Sequence, residues 1–300
     1  MPAGRAHLHP VLGMVLATLL WGATFVVARD ALAHLAPLPL VAVRFAGAAL
    51  LLGIIALARR RPIDRATVQG GLITGVLTAG GYLFQAIGLT ETSAGSSAFL
   101  TCAGTLLAGV FAWPLLGQRP TRLMAAGLAL AAAGAALLSL RSGLSLGPGE
   151  AWTLLGAAIY ALQIVAVARW APRADPVALT ALQSLAAAAC LLPFSGGAVG
   201  QLRGLPPADW ARVGYLFAAG TVVAPLLQVM AQRTLAPGRI GLLFALEPVF
   251  ALAFAVTIGA ERFVARWWLG SALILSAVLV VEWRAARGAT TPTATGGSAP

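Results

Sequence analysis

The sequence predicts an all-α integral membrane protein with ten transmembrane helices, arranged as two inverted repeats of five helices each. Three observations predict this fold. Hydrophobic residues make up 59% of the 300-residue chain and charged residues only 10%, a composition that soluble domains do not show. The chain also contains ten long apolar stretches separated by short polar breaks. Finally, a large part of the first half aligns with the second half without a gap.

The ten apolar stretches are each close to the roughly 20 residues that a helix needs to cross the hydrocarbon core. They cover residues 11–28, 39–58, 68–89, 95–116, 121–140, 151–168, 176–194, 212–231, 240–259 and 264–281. We therefore expect a cytoplasmic N-terminal segment over 1–10, a first five-helix repeat over 11–141 and a second over 150–284. The remaining residues, 285–300, are rich in small and polar residues with Pro and Gly, which predicts a disordered cytoplasmic tail.

The repeat is indicated by residue matches that share one register. Segment 83–141 overlays segment 226–284 at a constant shift, which places Gln85 on Gln228. Because each copy contains an odd number of crossings, the second copy must be inverted relative to the first. Inverted repeats place a substrate site at their interface, near the membrane midplane. The first two stretches of each half match at a slightly smaller shift, which pairs Trp21 with Tyr160, Thr24 with Gln163 and Arg44 with Gln183.

The net charge of +11 reports membrane topology, because the basic residues are all arginines and lie mostly between apolar stretches. With a cytoplasmic N-terminus, thirteen arginines face the cytoplasm and six face outward, as the positive-inside rule favours. The cluster Arg59, Arg60 and Arg61 is the firmest indication. We therefore expect both termini in the cytoplasm, contact with the lipid bilayer and no nucleic-acid partner.

Polar side chains within the apolar stretches predict a pocket. Such groups are costly to expose to lipid, so they turn toward partner helices or a water-filled cavity. Glutamine amides there can bind a zwitterionic ligand, although Gln85 and Gln228 could instead form an interhelical hydrogen bond across the symmetry axis. The predicted substrate-binding residues are Trp21, Thr24, Gln85, Tyr160, Gln163, Gln228 and Glu247.

Three residues are candidates for coupling or gating. Glu247 lies about nine residues into its stretch, near mid-membrane at a rise of about 1.5 Å per residue, and Pro248 should kink that helix. The acid can exchange a proton or meet a substrate ammonium, or it can lock helix packing through a buried hydroxyl or amide. The first half carries Gly104 and Thr105 instead. Arg44 can reach the headgroups by extending its stem, pair within the protein, or face an anionic group.

Motifs of soluble enzymes are absent from the sequence. There is no His-Glu-x-x-His zinc motif, no nucleophile elbow and no phosphate-binding P-loop, and the chain has three histidines. We therefore expect no enzymatic activity, no cofactor and no metal site.

Several motifs resemble a known family. The motif Trp-Gly-Ala-Thr-Phe at 21–25 resembles the Trp-Gly signature of the drug/metabolite transporter superfamily, in its ten-helix EamA-type branch. Leu-Glu-Pro-Val at 246–249, Gly-Ala-Glu-Arg at 259–262 and Gly270 are similar to the end of the second copy of the EamA domain, and Arg44-Phe45 resembles its second span. The resemblance covers nearly the whole chain. The first copy departs from the pattern, with Gln118 where the second has Glu261.

The resemblance implies a bacterial inner-membrane carrier that exports amino acids or related small metabolites. It also implies alternating access through a central cavity lined by both repeats. The mid-membrane acid beside a proline separately makes a proton at Glu247 the candidate coupling ion. Two alternatives remain open from the residues: an uncoupled solute facilitator, and a non-transporting membrane scaffold or lipid-handling protein.

Overall fold

The computed structural model describes residues 3–139, 147–258 and 265–290 of the chain. In these ranges the regular structure is entirely helical. Nine helical segments of the described chain are long and apolar enough to cross a membrane. A shorter apolar helix, Arg122–Leu137, lies between the fourth and fifth of them. The sequence prediction of an all-α, ten-helix membrane fold is confirmed.

The first half contains five crossings, the fourth of which is divided into two helices. Its helices are α1 (Ala3–Ala31), α2 (Pro37–Ala58), α3 (Arg65–Glu91), α4 (Ala94–Leu106), α5 (Ala108–Leu116) and α6 (Arg122–Ser139). Helices α4 and α5 follow each other directly and form the divided crossing.

The second half also contains five crossings, two of them divided. Its helices are α7 (Pro148–Trp170), α8 (Pro176–Leu191), α9 (Ala198–Arg203), α10 (Pro207–Tyr215), α11 (Ala224–Gln232), α12 (Pro237–Phe244), α13 (Glu247–Thr257) and α14 (Arg266–Thr290). A 3-10 turn, Leu192–Phe194, extends α8, and a π-helical segment, Leu216–Val223, joins α10 to α11. Helices α12 and α13 form the fourth crossing of this half.

Helix starts follow from local sequence. Asp64 accepts a hydrogen bond from the Thr67 N–H at the start of α3, and Asp175 accepts bonds from Val177 and Ala178 at the start of α8. Such side chains satisfy backbone donors that have no partner within the helix. Proline occupies the first turn of α2, α7, α8, α10 and α12, where its fixed φ suits a helix and its missing N–H costs nothing.

Two helices extend beyond the predicted stretches. Helix α1 begins at Ala3, and α14 continues to Thr290, so the expectation of a disordered tail is wrong for residues 285–290. Alanine, which makes up three of these six residues, is the best helix former. Three sequence features lie outside the described residues: the tail from 291 to 300, Arg141, and the motif at 259–262 with Glu261 and Arg262.

The two halves pack mainly against each other. Helix α3 lies against α7 and α8, α1 lies against α11 and α13, α2 packs on α8, and α6 packs on α14. The divided fourth crossings also meet, since α4 contacts α13 and α5 contacts α12. This arrangement brings polar positions of both halves to a common interior.

Candidate functional site

A cavity, here called the central cavity, lies between the two halves and is lined by both. The cavity volume, counted as the positions that the centre of a water molecule can occupy, is about 50 Å³. This is enough for a few waters. Arg44 lines the cavity, whereas Pro248 is not among its lining residues. The structure brings all seven predicted substrate-binding residues to this cavity: Trp21, Thr24, Gln85, Tyr160, Gln163, Gln228 and Glu247.

Aromatic rings form part of the cavity wall. The rings of Trp21 and Phe244 are stacked, with centroids 5.2 Å apart. The rings of Tyr82 and Tyr160 meet edge to face at 5.5 Å. These rings come from both halves, and they offer apolar surface together with the negative face of a π system.

Gly22, the residue after Trp21, lets α1 approach α13 closely. A Cβ atom at Gly22 would lie 2.7 Å from the Cβ of Phe250 and 2.9 Å from the backbone nitrogen of Ala251. No side chain fits there. The Trp-Gly pair therefore places an indole in the cavity and, at the next position, holds α1 against the helix that begins with Glu247.

The polar atoms of the aromatic side chains are bonded within the protein. The Trp21 Nε1–H donates to the Tyr82 hydroxyl at 2.9 Å and to the Gly220 carbonyl at 3.0 Å. The Tyr82 hydroxyl donates to the same carbonyl at 2.9 Å, which lies in the π-helical segment. The Thr24 hydroxyl donates to the Trp21 carbonyl at 2.6 Å. Trp21 and Tyr82 therefore present mainly their rings to the cavity.

Gln85 joins the third and fourth crossings of the first half to α7. Its Nε2 donates to the Thr101 hydroxyl at 2.9 Å, and its Oε1 accepts from the Tyr160 hydroxyl at 3.3 Å. Gln85 and Gln228 do not bond each other, but each forms interhelical hydrogen bonds, Gln85 to α4 and α7 and Gln228 to α7. The repeat register predicted the depth of each amide but not the direction in which its side chain points.

Four buried glutamines form a network, here called the amide network. Gln228 Nε2 donates to Gln163 Oε1 at 3.1 Å and to Gln232 Oε1 at 2.8 Å. Gln163 Nε2 donates to Gln183 Oε1 at 3.4 Å, and Gln232 Nε2 donates to the Ile164 carbonyl at 2.7 Å. The network ties α7, α8 and α11 together on the second-half side of the cavity.

Glu247 lies at the interruption of the second half's fourth crossing. Helix α12 ends at Phe244 and α13 begins at Glu247, with Pro248 in its first turn, so the interruption predicted from the proline is present. The side chain is 4% exposed, and its Oε2 has no hydrogen-bond partner among the described residues. The structure therefore gives no support to the alternative in which a buried hydroxyl or amide locks this acid.

Arg44 is buried, which excludes the alternative in which its side chain reaches the headgroups. Its side chain is 4% exposed. The Nε–H donates to the Thr221 hydroxyl at 3.0 Å, and Cζ lies 5.2 Å from the centre of the Tyr82 ring. Helix α2 begins at Pro37, which places Arg44 about two turns inside the helix, and these two contacts hold the guanidinium toward the interior.

The central cavity is suited to noncovalent binding of a small polar solute. It offers a carboxyl group, a guanidinium group and aromatic faces. Within the described ranges, no group of three His, Cys, Asp or Glu side chains is placed to hold a metal ion.

Comparison with known proteins identifies the family. A model described as the EamA-like transporter family matches residues 9–140 and 147–283, which is most of the chain and includes every residue of the central cavity. The chain belongs to the EamA-like transporter family. The resemblance drawn from the sequence motifs is confirmed, and the protein is a multi-pass membrane transporter by family.

Relatives of this EamA-like chain align over almost its whole length. It is 28% identical over 282 residues to an uncharacterized transporter of Archaeoglobus fulgidus, covering 94% of this chain and 88% of that protein. It is 27% identical over 284 residues to the uncharacterized inner membrane transporter YedA of Escherichia coli K12, covering 92% and 91%. A solved crystal structure matches with a TM-score of 0.71 at 23% identity, covering 90% of this chain and 97% of that chain. That likeness shows a shared fold.

Several cavity residues of this EamA-like transporter are absent from the predicted set. Gln183 and Thr78 line the cavity, as do Tyr82, Thr101 and Phe244. A signal for some of them is present in the repeat register. Gln183 is the partner of Arg44 in the register of the first two stretches, and Phe244 is the partner of Thr101 in the register of the later ones. Adding the repeat partner of each candidate residue to the predicted set would include Gln183. It would not include Tyr82, whose repeat partner is Pro225.

Proposed function

We propose that the protein is a secondary transporter that exports amino acids or related small metabolites by alternating access, with Glu247 exchanging a proton for the solute. The observation that carries the proposal is the central cavity, which both halves line and which contains a buried carboxyl group with an unpartnered oxygen. An intramembrane acid is costly to bury. The position of Glu247 in the cavity lining therefore favours a functional role over a purely structural one.

We infer that the two halves are inverted copies of one unit. Both fourth crossings are divided, at Leu107 in the first half and at residues 245–246 in the second. The packing is also reciprocal, because α3 lies against the first helix of the second half and α11 lies against the first helix of the chain. A two-fold relation between halves predicts such an exchange, and it supports rocking of the halves about a central site.

We infer that both termini are cytoplasmic and that the membrane is the bacterial inner membrane. The arginine distribution supports the orientation, with the cluster Arg59, Arg60 and Arg61 after α2 as its strongest part. The relative YedA is named an inner membrane transporter, which supports the location.

In this proposal the movements of proton and solute are coupled because both cations compete for one carboxyl group. A proton and a substrate ammonium both neutralise Glu247, so the group holds one or the other. Pro248 lacks a backbone N–H and lies in the first turn of α13, which weakens the connection to α12. Bending there would accompany the change in access.

The experiment is solute efflux from proteoliposomes with and without an imposed pH gradient, across the twenty amino acids and common nucleosides. We expect the gradient to accelerate efflux of at least one solute in the wild type, and Glu247→Gln to abolish that response. Glu150→Gln is the matched control, since Glu150 bonds Thr92 and the Gly147 N–H outside the cavity. It should keep the response.

The other outcomes separate the alternatives. Efflux that is saturable but indifferent to the gradient in the wild type would indicate a facilitator. Absence of saturable movement for every solute would favour a scaffold or lipid-handling protein and contradict the proposal. An unchanged pH response in Glu247→Gln would remove Glu247 from the coupling mechanism.

A further inference from the structure

Most polar side chains that line the central cavity are bonded to other protein groups. The amide network uses its amides internally, and Gln85, Trp21 and Thr24 also have partners. Three lining residues have a buried polar atom that no described residue binds: Arg44 Nη2, Thr78 Oγ1 and Glu247 Oε2. They are a donor, a hydroxyl and a carboxyl oxygen. Buried polar atoms usually have hydrogen-bond partners, so these three atoms are the candidates for hydrogen bonds to a ligand.

The guanidinium of Arg44 is held in one place. Its Nε–H bonds Thr221, and the cation lies over the Tyr82 ring. A Cβ at Gly220 would lie 3.0 Å from Nη2, so the glycine makes room for the guanidinium to lie against the π-helical segment. A planar cation that is fixed at one edge and free at another is preorganised to bind an oxyanion.

The charge of Arg44 is not balanced by a neighbouring acid. No described carboxylate forms an ion pair with it, and Glu247, the acidic residue of the cavity lining, leaves its own Oε2 unpartnered. A buried cation without a counter-charge is strongly unfavourable. Since arginine remains charged in proteins, an anion entering the cavity would gain most by binding at this position.

We propose that Arg44 is the anion-binding residue of the cavity and that it receives the carboxylate of a solute whose amino group is directed to Glu247. This inference rests on the proposed transport function and names its substrate class, a net-neutral zwitterion. The cavity lining contains one basic and one acidic residue within the described chain. That balance suits a zwitterion better than a phosphate dianion, which would need more than one cation. The Thr78 hydroxyl supplies a further hydrogen bond to the solute.

Ligand binding to the purified protein in detergent tests the inference separately from transport. The wild type is screened by calorimetry with the twenty amino acids. The best binder is then compared with its decarboxylated amine and with its deaminated carboxylic acid. We expect the amino acid to bind most tightly, the carboxylic acid more weakly and the amine not measurably, because the amine cannot bind Arg44.

Substitutions assign the anion site to Arg44. Arg44→Gln should weaken binding of the amino acid and of its deaminated acid about 10- to 100-fold, the loss expected for a charge-assisted hydrogen bond. Arg44→Lys, which keeps the charge without the planar fork, should recover part of that affinity. Arg29→Gln is the matched control, because Arg29 is exposed at the end of α1 and does not line the cavity. Thr78→Val, which keeps the shape of the side chain, should weaken binding several-fold and serves if Arg44→Gln fails to fold.

The outcomes distinguish this inference from the proposed function. Unchanged affinity in folded Arg44→Gln and in Thr78→Val would overturn the role of Arg44 and leave pH-coupled transport untouched. Tight binding of the amine would overturn it as well, as would transport restricted to solutes without a carboxylate. Arg44-dependent binding without any transport would support the anion site and contradict the transport proposal.

Discussion

Gly104 in the first half and Glu247 in the second occupy equivalent positions in the repeat, yet the structure uses them in different ways. A Cβ at Gly104 would lie 2.3 Å from the Cβ of Ala157 and 2.7 Å from its carbonyl carbon, so α4 packs on α7 without space for a side chain. Glu247 instead lines the central cavity. The same divided crossing serves close helix packing in one half and carries an ionisable group in the other.

The two halves therefore have different roles at this shared depth. The first half's position contributes stability, because close packing of helices requires a small residue there. The second half's position costs stability, because it buries a polar atom without a partner. Substitutions at equivalent positions should therefore change the free energy of unfolding in opposite directions.

The largest effect is expected for Gly104→Ala. The added methyl group would overlap Ala157, including backbone atoms that cannot move independently of α7, so we expect the free energy of unfolding to fall by about 3 kcal/mol. Thermal unfolding of the purified protein in detergent measures the change. Gly95→Ala in the same helix is the control, since nothing lies within 4 Å of a Cβ there. That variant should gain roughly 0.5–1 kcal/mol, and equal melting temperatures for the two variants would refute the packing argument.

The next effect is expected for the glutamine that matches Gln85 in the repeat. Gln228→Leu removes the donor to both Gln163 and Gln232 and leaves two buried carbonyl oxygens unsatisfied, at a cost of about 1 kcal/mol each. Gln85→Leu should cost less, because Gln85 is only partly buried and its hydroxyl partners can rotate to bind water. The melting temperatures of the two variants measure this difference. A larger loss of stability for Gln85→Leu would contradict the proposed role of the amide network.

The sequence predicts the helices and the cavity depth better than it predicts side-chain partners. The apolar stretches predict the crossings, and Pro248 predicts the interruption at Glu247. Both features depend on local sequence. The burial of Arg44 depends on Thr221 and Tyr82, which are distant in sequence. A repeat register fixes how deep a residue lies, but the direction of its side chain depends on the rotation of the helix and on its neighbours. The bonds of Gln85 could not be predicted for this reason.

A smaller effect, of opposite sign, is expected for Glu247→Met. Methionine fills a similar volume without a polar atom, so removing the unpartnered carboxyl should raise the free energy of unfolding by about 1 kcal/mol while transport is lost. Such a gain in stability at the expense of activity is typical of functional sites. Glu150→Met provides the contrast, since it breaks bonds to Thr92 and Gly147 and should lower stability. A loss of stability in Glu247→Met would instead indicate a structural acid.

The smallest effect concerns the starts of two equivalent helices. Asp64 caps α3, whereas α10, which starts the third crossing of the second half, has Pro206 at its cap position and no side-chain cap. Hydrogen bonds from the side chain and N–H of Thr67 lower the pKa of the Asp64 carboxyl below its usual value. The ionised cap therefore stabilises the fold above the unfolded-state pKa of about 4, and this contribution disappears as the pH falls through the lowered pKa of the folded protein.

Asp64→Ala should accordingly lower the melting temperature slightly at neutral pH, and the difference from the wild type should shrink as the pH falls below about 4. Melting curves of both proteins across this range measure it. Pro206→Ala at the cap position of α10 supplies a reference without an ionisable group, so its difference from the wild type should not depend on pH. A pH-independent difference for Asp64→Ala would mean that the side chain stabilises α3 by its shape, and that the charged cap does not distinguish the two halves.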